Sequence, residues 1–212
     1  MENRKNTILL TVIAVATLLV AVVGATFAYF TARGGEDVTR NINVITDTTD
    51  SATFSLEPIG FTATQENFGQ GGGDQTDTST GTASFTANST DETSEFCYTL
   101  TINVASNDFV YTTAPTNTPE LVLDVTKEAG TKGSPVSVIT AKDVTTQTTG
   151  EIKVPATAGG SDYVHKITAN KSQTVVDTFK ITLAFKNLNS DQNKNQGKTF
   201  TGTMTFAKAE CA

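Results

Sequence analysis

The sequence predicts an all-β fold: an antiparallel two-sheet β-sandwich, jelly-roll-like, preceded by an N-terminal signal or transmembrane helix. After residue 30, about ten short segments alternate apolar with polar residues, with turn residues between them. None of these segments has a convincing helical period. Threonine, which suits the solvated face of a strand, is abundant, whereas tryptophan, which marks the core of true immunoglobulin domains, is absent.

The chain begins with an export segment. Arg4 and Lys5 precede an apolar run over residues 7–30, the order typical of a secretory signal. The run is also long enough to cross a bilayer, which takes roughly 20 apolar residues. Two interpretations therefore stay open: a cleaved signal peptide, or an uncleaved anchor in which residues 7–30 alone contact the membrane.

Small residues at the end of the apolar run offer two positions for a signal peptidase. Cleavage after Ala28 is favoured over cleavage after Ala25, so Tyr29 becomes the first residue of the mature chain. The organisation that follows is a signal peptide or anchor over 1–28, a flexible leader over 29–40 and a sandwich domain over 41–212. The leader is polar and contains a pair of glycines, and it is also a candidate donor strand.

Charge narrows the choice of partner. The chain of 212 residues has a formal net charge of −7. An acidic domain lacks the basic surface that nucleic acids and anionic membranes require. The charge instead favours solubility outside the cell.

The first half of the sandwich domain contains strands of unequal quality. Residues 95–105 give the cleanest period-2 alternation in the chain. A Gly-rich stretch over 69–81 has the composition of a long mobile loop. The predicted strands are 41–46, 52–56, a short edge at 61–63, a weak strand at 82–87, 95–105 and the start of another at 109–111.

The second half continues with short strands separated by Gly, Pro and Asn-rich turns. Gly130 to Gly133 predicts a hairpin-like turn, and residues 187–197 predict a polar turn before the last strand. The predicted strands are 120–126, 136–139, 152–154, 163–168, 174–186 and 199–207.

The two cysteines, Cys97 and Cys211, fall on the Thr-bearing side of their strands. Side chains on the same face of neighbouring strands can meet, and an exported chain can oxidise them. The sequence therefore predicts a Cys97–Cys211 disulfide rather than two free thiols.

Both ends of the chain resemble the TasA/camelysin family of secreted Gram-positive biofilm-matrix and fibre proteins. Gly24 to Thr31 (GATFAYFT) is similar to the signal-peptide exit of that family. Residues 179–207 resemble its last hairpin, in which an Asn/Gln-Gly turn precedes a strand ending Phe-x-Ala. The resemblance implies a mature N-terminus at Tyr29 and a structural role in an extracellular fibre.

Catalytic and metal chemistry finds little support in the residues. His165 is the one histidine, so the two-His zinc motif of metalloproteases is missing, and it is interpreted as a partly buried structural residue. Alternating oxygen ligands around Asp191 resemble a calcium loop, but position twelve from it is Gly202 rather than a glutamate. That stretch is interpreted as a plain hairpin turn, and no cofactor is expected.

Lysines in the predicted strands are candidates for an isopeptide bond, a covalent cross-link between side chains. Pilin-type isopeptide bonds need a buried lysine beside an asparagine and a carboxylate. Lys153, Lys166 and Lys180 are candidates only because they lie in predicted strands. The chain is interpreted as a non-enzyme.

The function predicted is a secreted structural subunit of an extracellular fibre or biofilm matrix, assembling by N-terminal donor-strand exchange. Tyr29, Phe30, Ile42 and Val44 are expected to supply the apolar contacts of the donated strand. The partners are then other copies of the chain or other matrix and surface proteins, besides the signal peptidase. The alternative is a cell-surface adhesin or binding domain held at the membrane by its N-terminal helix.

Overall fold

The described part of the chain forms eleven strands, most of which show the period-2 alternation of apolar residues that the sequence predicts. The computed structural model describes residues 42–46, 50–64, 72–88, 90–128 and 135–211, which lie in one compact unit, Val38–Ala212. The strands are β1 (Ile42–Thr46), β2 (Asp50–Leu56), β3 (Ile59–Thr62), β4 (Gln75–Thr86), β5 (Thr93–Asn107), β6 (Leu121–Glu128), β7 (Val136–Asp143), β8 (Gly150–Val154), β9 (His165–Asn170), β10 (Thr174–Phe185) and β11 (Thr199–Ala209).

The strands pair antiparallel in two sheets, which confirms the predicted two-sheet β-sandwich. The first sheet has the order β1-β2-β4-β10-β6-β7 and the second the order β3-β11-β5-β8. In the second sheet β5 is the longest strand. It pairs along one side with β11, and along the other with β9 over residues 93–98 and with β8 over residues 100–104.

Aromatic side chains fill the space between the sheets. The ring of Phe54 on the first sheet stacks on that of Phe206 on the second, with centroids 4.9 Å apart. Phe85 and Phe96 make a similar contact at 5.4 Å. Offset aromatic pairs stabilise a fold by more than the burial of their apolar surface alone would. These contacts therefore help to hold the two sheets against each other.

Two predicted elements differ from the structure. Residues 75–81, predicted as mobile loop, are the first half of β4, which lies between β2 and β10. Residues 109–111, predicted to begin a strand, are a loop whose Phe109 is buried in the core. Both errors arise because local alternation does not reveal which long-range partner a segment meets.

The predicted N-terminal helix, the leader over 29–40 and the turn at 130–133 lie outside the described residues. Among the residues described, no helix is both long and apolar enough to cross a membrane. The helical structure found there is a single 3-10 turn, Asn193–Asn195, within the predicted polar turn.

Candidate functional site: the open side of the sandwich

The two sheets end in edge strands, and these edges are where another chain could be added. β7 ends the first sheet and β8 ends the second, and no further strand pairs with their outer sides within the described part of the chain. The opposite side of the sandwich ends in β1 and β3. An edge strand presents backbone N–H and C=O groups that can pair with an incoming strand.

A groove of about 750 Å³ lies between β7 and β8. Side chains of both strands line it, and the loop 155–163 forms its rim. Charged groups enter it from both sides: Lys142 from β7, and Glu151 and Lys153 from β8. The ammonium group of Lys153 lies 5.9 Å from the ring centroid of Tyr163, a residue 38% exposed to solvent.

The two strands beside this groove differ in regularity. β7 carries a bulge: Ala141 has a φ of +45°, and its N–H donates to the Asp124 carboxylate at 2.8 Å. The pairing of β7 with β6 shifts register on either side of Val125. β8 pairs with β5 in unbroken register over all five of its residues. Bulges disrupt an edge for further pairing, so β8 is the better template.

Of the four predicted donor residues, two lie outside the part of the chain that the structure describes and two lie inside it. Tyr29 and Phe30, like the cleavage site after Ala28, lie outside it. The backbone of Ile42 and Val44 forms β1, where they pair with Phe54 and Ala52 of β2 in the same chain. The role of Ile42 and Val44 as contacts of a donated strand stays a prediction. The pairing shows that both residues also form a strand within their own chain.

The Cys97–Cys211 disulfide is present, with the two Cα atoms 5.3 Å apart. The strand pattern places Cys97 on the outer face of β5, between Phe96 and Tyr98, which face the core. Cys211 follows the end of β11, whose Ala209 lies opposite Cys97 in the ladder. The disulfide predicted from the strand faces of Cys97 and Cys211 is thus confirmed.

A polar cluster inside the sandwich joins its two sheets. The hydroxyl of Tyr98 donates to Oδ2 of Asp177 at 2.6 Å, and the ammonium of Lys127 lies 2.7 Å from the same oxygen. Burial, together with the Asp177 charge, raises the pKa of Tyr98, so this phenol stays protonated and acts as a donor. The sequence held a signal for this cluster, because Lys127 and Asp177 share the parity of the core residues in β6 and β10.

His165 lies beside this cluster and is fully buried, whereas the sequence predicts partial burial. Its ring is parallel to that of Tyr98 at 5.3 Å and meets Phe179 edge-on at 5.0 Å. Nε2 is 3.1 Å from the carbonyl oxygen of Val154, whereas Nδ1 is buried without a hydrogen-bond partner. Burial lowers the pKa of His165, so the ring is neutral at neutral pH and donates through Nε2.

A second buried carboxylate organises the loops at one end of the sandwich. Glu120 is fully buried, and one of its oxygens accepts from the N–H and hydroxyl of Thr112. The other oxygen accepts from Gln192 at 2.8 Å and Asn195 at 2.9 Å. These bonds tie the loop after β5 to the turn before β11, and no feature of the sequence pattern singled out Glu120.

The calcium-like stretch is part of this arrangement. The amide of Asn195 points inward to Glu120 and to the carbonyl of Val110, while Asp191 caps the N–H of Asn193. The alternating oxygens therefore do not converge on one point. Among the described residues, no group of three or more His, Cys, Asp or Glu side chains is placed to hold a metal ion.

The three lysines considered for an isopeptide bond are all exposed. Lys166 forms a surface ion pair with Glu95 at 3.1 Å, Lys153 covers the Tyr163 ring and Lys180 lies on the outer face of β10. This placement contradicts the need for a buried lysine. Among the lysines that the structure describes, Lys127 points towards the interior, where it forms an ion pair with the buried Asp177.

No protein-family model matches this chain, and no curated protein sequence matches it. The function of the chain is therefore inferred from its residues and from the resemblance at the two ends of its sequence.

Proposed function

We propose that the chain is a secreted structural subunit of an extracellular fibre or biofilm matrix of a Gram-positive cell. The observation that carries the proposal is an acidic β-sandwich with open sheet edges, β7 and β8, that follows an export segment and an aromatic leader. A donated strand satisfies the backbone groups of an open edge and buries its own apolar side chains. A jelly-roll-like strand arrangement is part of this proposal, supported by the position of β10 between β4 and β6.

The leader is the donor in this scheme. After cleavage at Ala28, residues 29–40 begin with Tyr29 and Phe30 and extend the chain beyond β1. Ile42 and Val44, the other two residues expected to contribute to the donated strand, follow the leader and pair through β1 with β2 of their own chain. Each subunit then gives its leader to the next, a head-to-tail contact that does not close on itself and therefore grows filaments.

The test is electron microscopy of the protein that begins at Tyr29, at increasing concentration. Filaments are expected for the wild type, and Tyr29→Ser/Phe30→Ser is expected to reduce them at least about tenfold, because two buried aromatic anchors are lost. The control is Val110→Ser/Val176→Ser, which removes two apolar side chains that are each 40% exposed elsewhere on the surface.

Two results would count against the proposal. Equal polymerisation by the leader variant and the wild type would remove the donor role. A native protein that begins at Met1 and remains monomeric would favour the membrane-anchored binding domain instead.

A further inference from the structure

We infer that the side chain of Lys127 forms an isopeptide bond with that of Asp177, which joins β6 covalently to β10. The reaction is a condensation of an ammonium group with a carboxylate, and it releases one molecule of water. Such a bond is independent of the proposed function, because a fibre subunit can exist without it. Three properties of the site favour it: contact between the two groups, exclusion of water and a hydrogen-bond donor on the reacting carboxylate.

The two reacting groups are in contact on neighbouring strands. Nζ of Lys127, near the end of β6, lies 2.7 Å from Oδ2 of Asp177 in β10. The pairing of the strands places Lys127 opposite Phe179, so Asp177 lies two residues before that point on the same face of β10. Holding an amine against a carboxyl group in this way gives an effective concentration on the order of 10⁵ M or higher, which favours amide formation over hydrolysis.

This ion pair is better shielded from water than the others in the described part of the chain. The side chain of Lys127 is 23% exposed and that of Asp177 is 11% exposed. The side chains of the other two ion pairs are 35–47% exposed: Lys166–Glu95 and Lys186–Asp74. Burying two charges costs free energy, whereas an amide carries no net charge. Condensation therefore removes both charges from a poorly hydrated site.

Tyr98 supplies a hydrogen-bond donor at the reacting carboxylate. Its hydroxyl donates to Oδ2 of Asp177 at 2.6 Å, so it can stabilise the negative charge that develops on this oxygen when Nζ attacks Cγ. Aromatic rings surround the site: Nζ of Lys127 lies 5.7 Å from the ring centroid of Phe179, and Tyr98 meets Phe179 edge-on at 6.3 Å. These rings keep water away from the tetrahedral intermediate and from the amide that it forms.

The reaction balances without an oxidant, a reductant or a cofactor. One proton passes from the Lys127 ammonium to the Asp177 carboxylate, which gives a neutral amine and a neutral acid. Nζ then forms a bond to Cγ, and the bond from Cγ to Oδ1 breaks. The departing oxygen takes two protons, one from the acid and one from the nitrogen, and leaves as water, so a single N–H remains on the amide.

The test is intact-mass spectrometry of the full chain expressed in a secreting host. With its cysteines reduced, the protein is expected to be lighter by the mass of one water than its sequence requires. Lys127→Met should abolish this loss, whereas the control Lys166→Met, which breaks the exposed pair with Glu95, should keep it. In newly synthesised protein, Tyr98→Phe should slow the appearance of the lighter species at least about tenfold, because the donor to the oxyanion is lost.

Digestion with trypsin locates the bond. Residues 172–180 lie between two lysines and contain Asp177. After reduction and digestion, this peptide is expected to stay attached to the peptide that contains Lys127. Trypsin does not cleave after a lysine whose amine is acylated, so that second peptide should also continue past Lys127.

Two results on the wild type would overturn the inference, and neither requires a variant to fold. The full mass that the sequence requires would show that Lys127 and Asp177 remain an ion pair. A loss of one water without the branched peptide would place the dehydration elsewhere in the chain. Both measurements are made on single chains, so the proposed fibre function stands or falls separately.

Discussion

At the scale of single residues, two buried ionisable groups are stabilised in different ways. Glu120 has no cation among its partners, and four donors from Thr112, Gln192 and Asn195 bind its two oxygens. Asp177 has a cation, Lys127, and a phenol, Tyr98. Burying a charge is expensive unless hydrogen bonds replace the lost water, so both groups are satisfied within the described core.

His165 makes stability depend on pH. Burial lowers its pKa below the ordinary 6.5, and Lys127 adds to that effect, while the Val154 carbonyl, Asp177 and Asp162 oppose it. The unfolded chain therefore binds a proton at a higher pH than the folded chain does. Stability from this group is complete above about 6.5 and is lost as the pH falls toward the lowered value, by at most about 1.4 kcal/mol per pH unit.

The variant His165→Phe keeps a ring against Tyr98 and removes the titration. We expect the fall in unfolding free energy between pH 7.5 and 5.5 to be smaller for this variant than for the wild type. Denaturant unfolding at the two pH values measures it, and carboxylates that titrate in both proteins cancel in the comparison. Equal falls would show that His165 titrates alike in the folded and unfolded chains.

At the scale of elements, strands that alternate strongly could be predicted from the sequence, and those defined by their partners could not. β5 alternates Phe96, Tyr98 and Leu100 with polar residues, and its core face is as predicted. β4 begins with Gln75 and Thr76 and has no large apolar residue before Phe85, so only its pairing with β2 and β10 makes it a strand.

The loop and turn around Glu120 likewise could not be predicted from the sequence pattern. The sequence predicts that Phe109 begins a strand, but Phe109 is buried in a loop whose backbone N–H groups at Phe109 and Val110 donate to the side chains of Asn107 and Asn195. The bond from Val110 to Asn195 joins residues 85 positions apart in the chain. Spacing along the sequence has no means of indicating such a contact. The disulfide could be predicted, because that prediction required only two strands and the face of each strand on which its cysteine lies.

Gly81 in β4 and Gly202 in β11, which lie in different sheets, should respond differently to substitution by alanine. A Cβ at Gly202 would lie 2.9 Å from the backbone oxygen of Asn103, beside the irregularity in the pairing of β11 with β5, where only the strands themselves could move. A Cβ at Gly81 would lie 2.8 Å from the sulfur of Met204, which has flexible bonds. We expect Gly202→Ala to destabilise by about 1–3 kcal/mol and Gly81→Ala by less.

Denaturant unfolding of both alanine variants gives this comparison. A cost at Gly81 equal to or above that at Gly202 would mean that the core around Met204 is the stiffer of the two surroundings.

At the scale of the whole molecule, the disulfide closes a very long loop. Cys97 and Cys211 are 114 positions apart, and β6 to β11 lie between them. Cross-linking so distant residues restricts the unfolded chain, by about 4–5 kcal/mol in the chain-entropy model. The folded chain loses little conformational entropy through the cross-link, because β5 and β11 already lie side by side.

Cys97→Ala/Cys211→Ala is therefore expected to fold and to lose about 3–5 kcal/mol of unfolding free energy. Reductant should bring the wild type to the level of the variant and leave the variant unchanged, which serves as the internal control. A loss below about 1 kcal/mol would mean that the unfolded chain is already restricted by residual structure.

The same bond decides how the folded domain responds to a mechanical pull. A pull applied between the N-terminal leader and the C-terminus passes from Cys97 directly to Cys211 and bypasses the residues between them. At 3.3–3.6 Å per residue, about 400 Å of chain is withheld from extension while the bond is oxidised. Under load, residues 98–210 cannot lengthen while the bond is oxidised, and breaking that one covalent bond releases them.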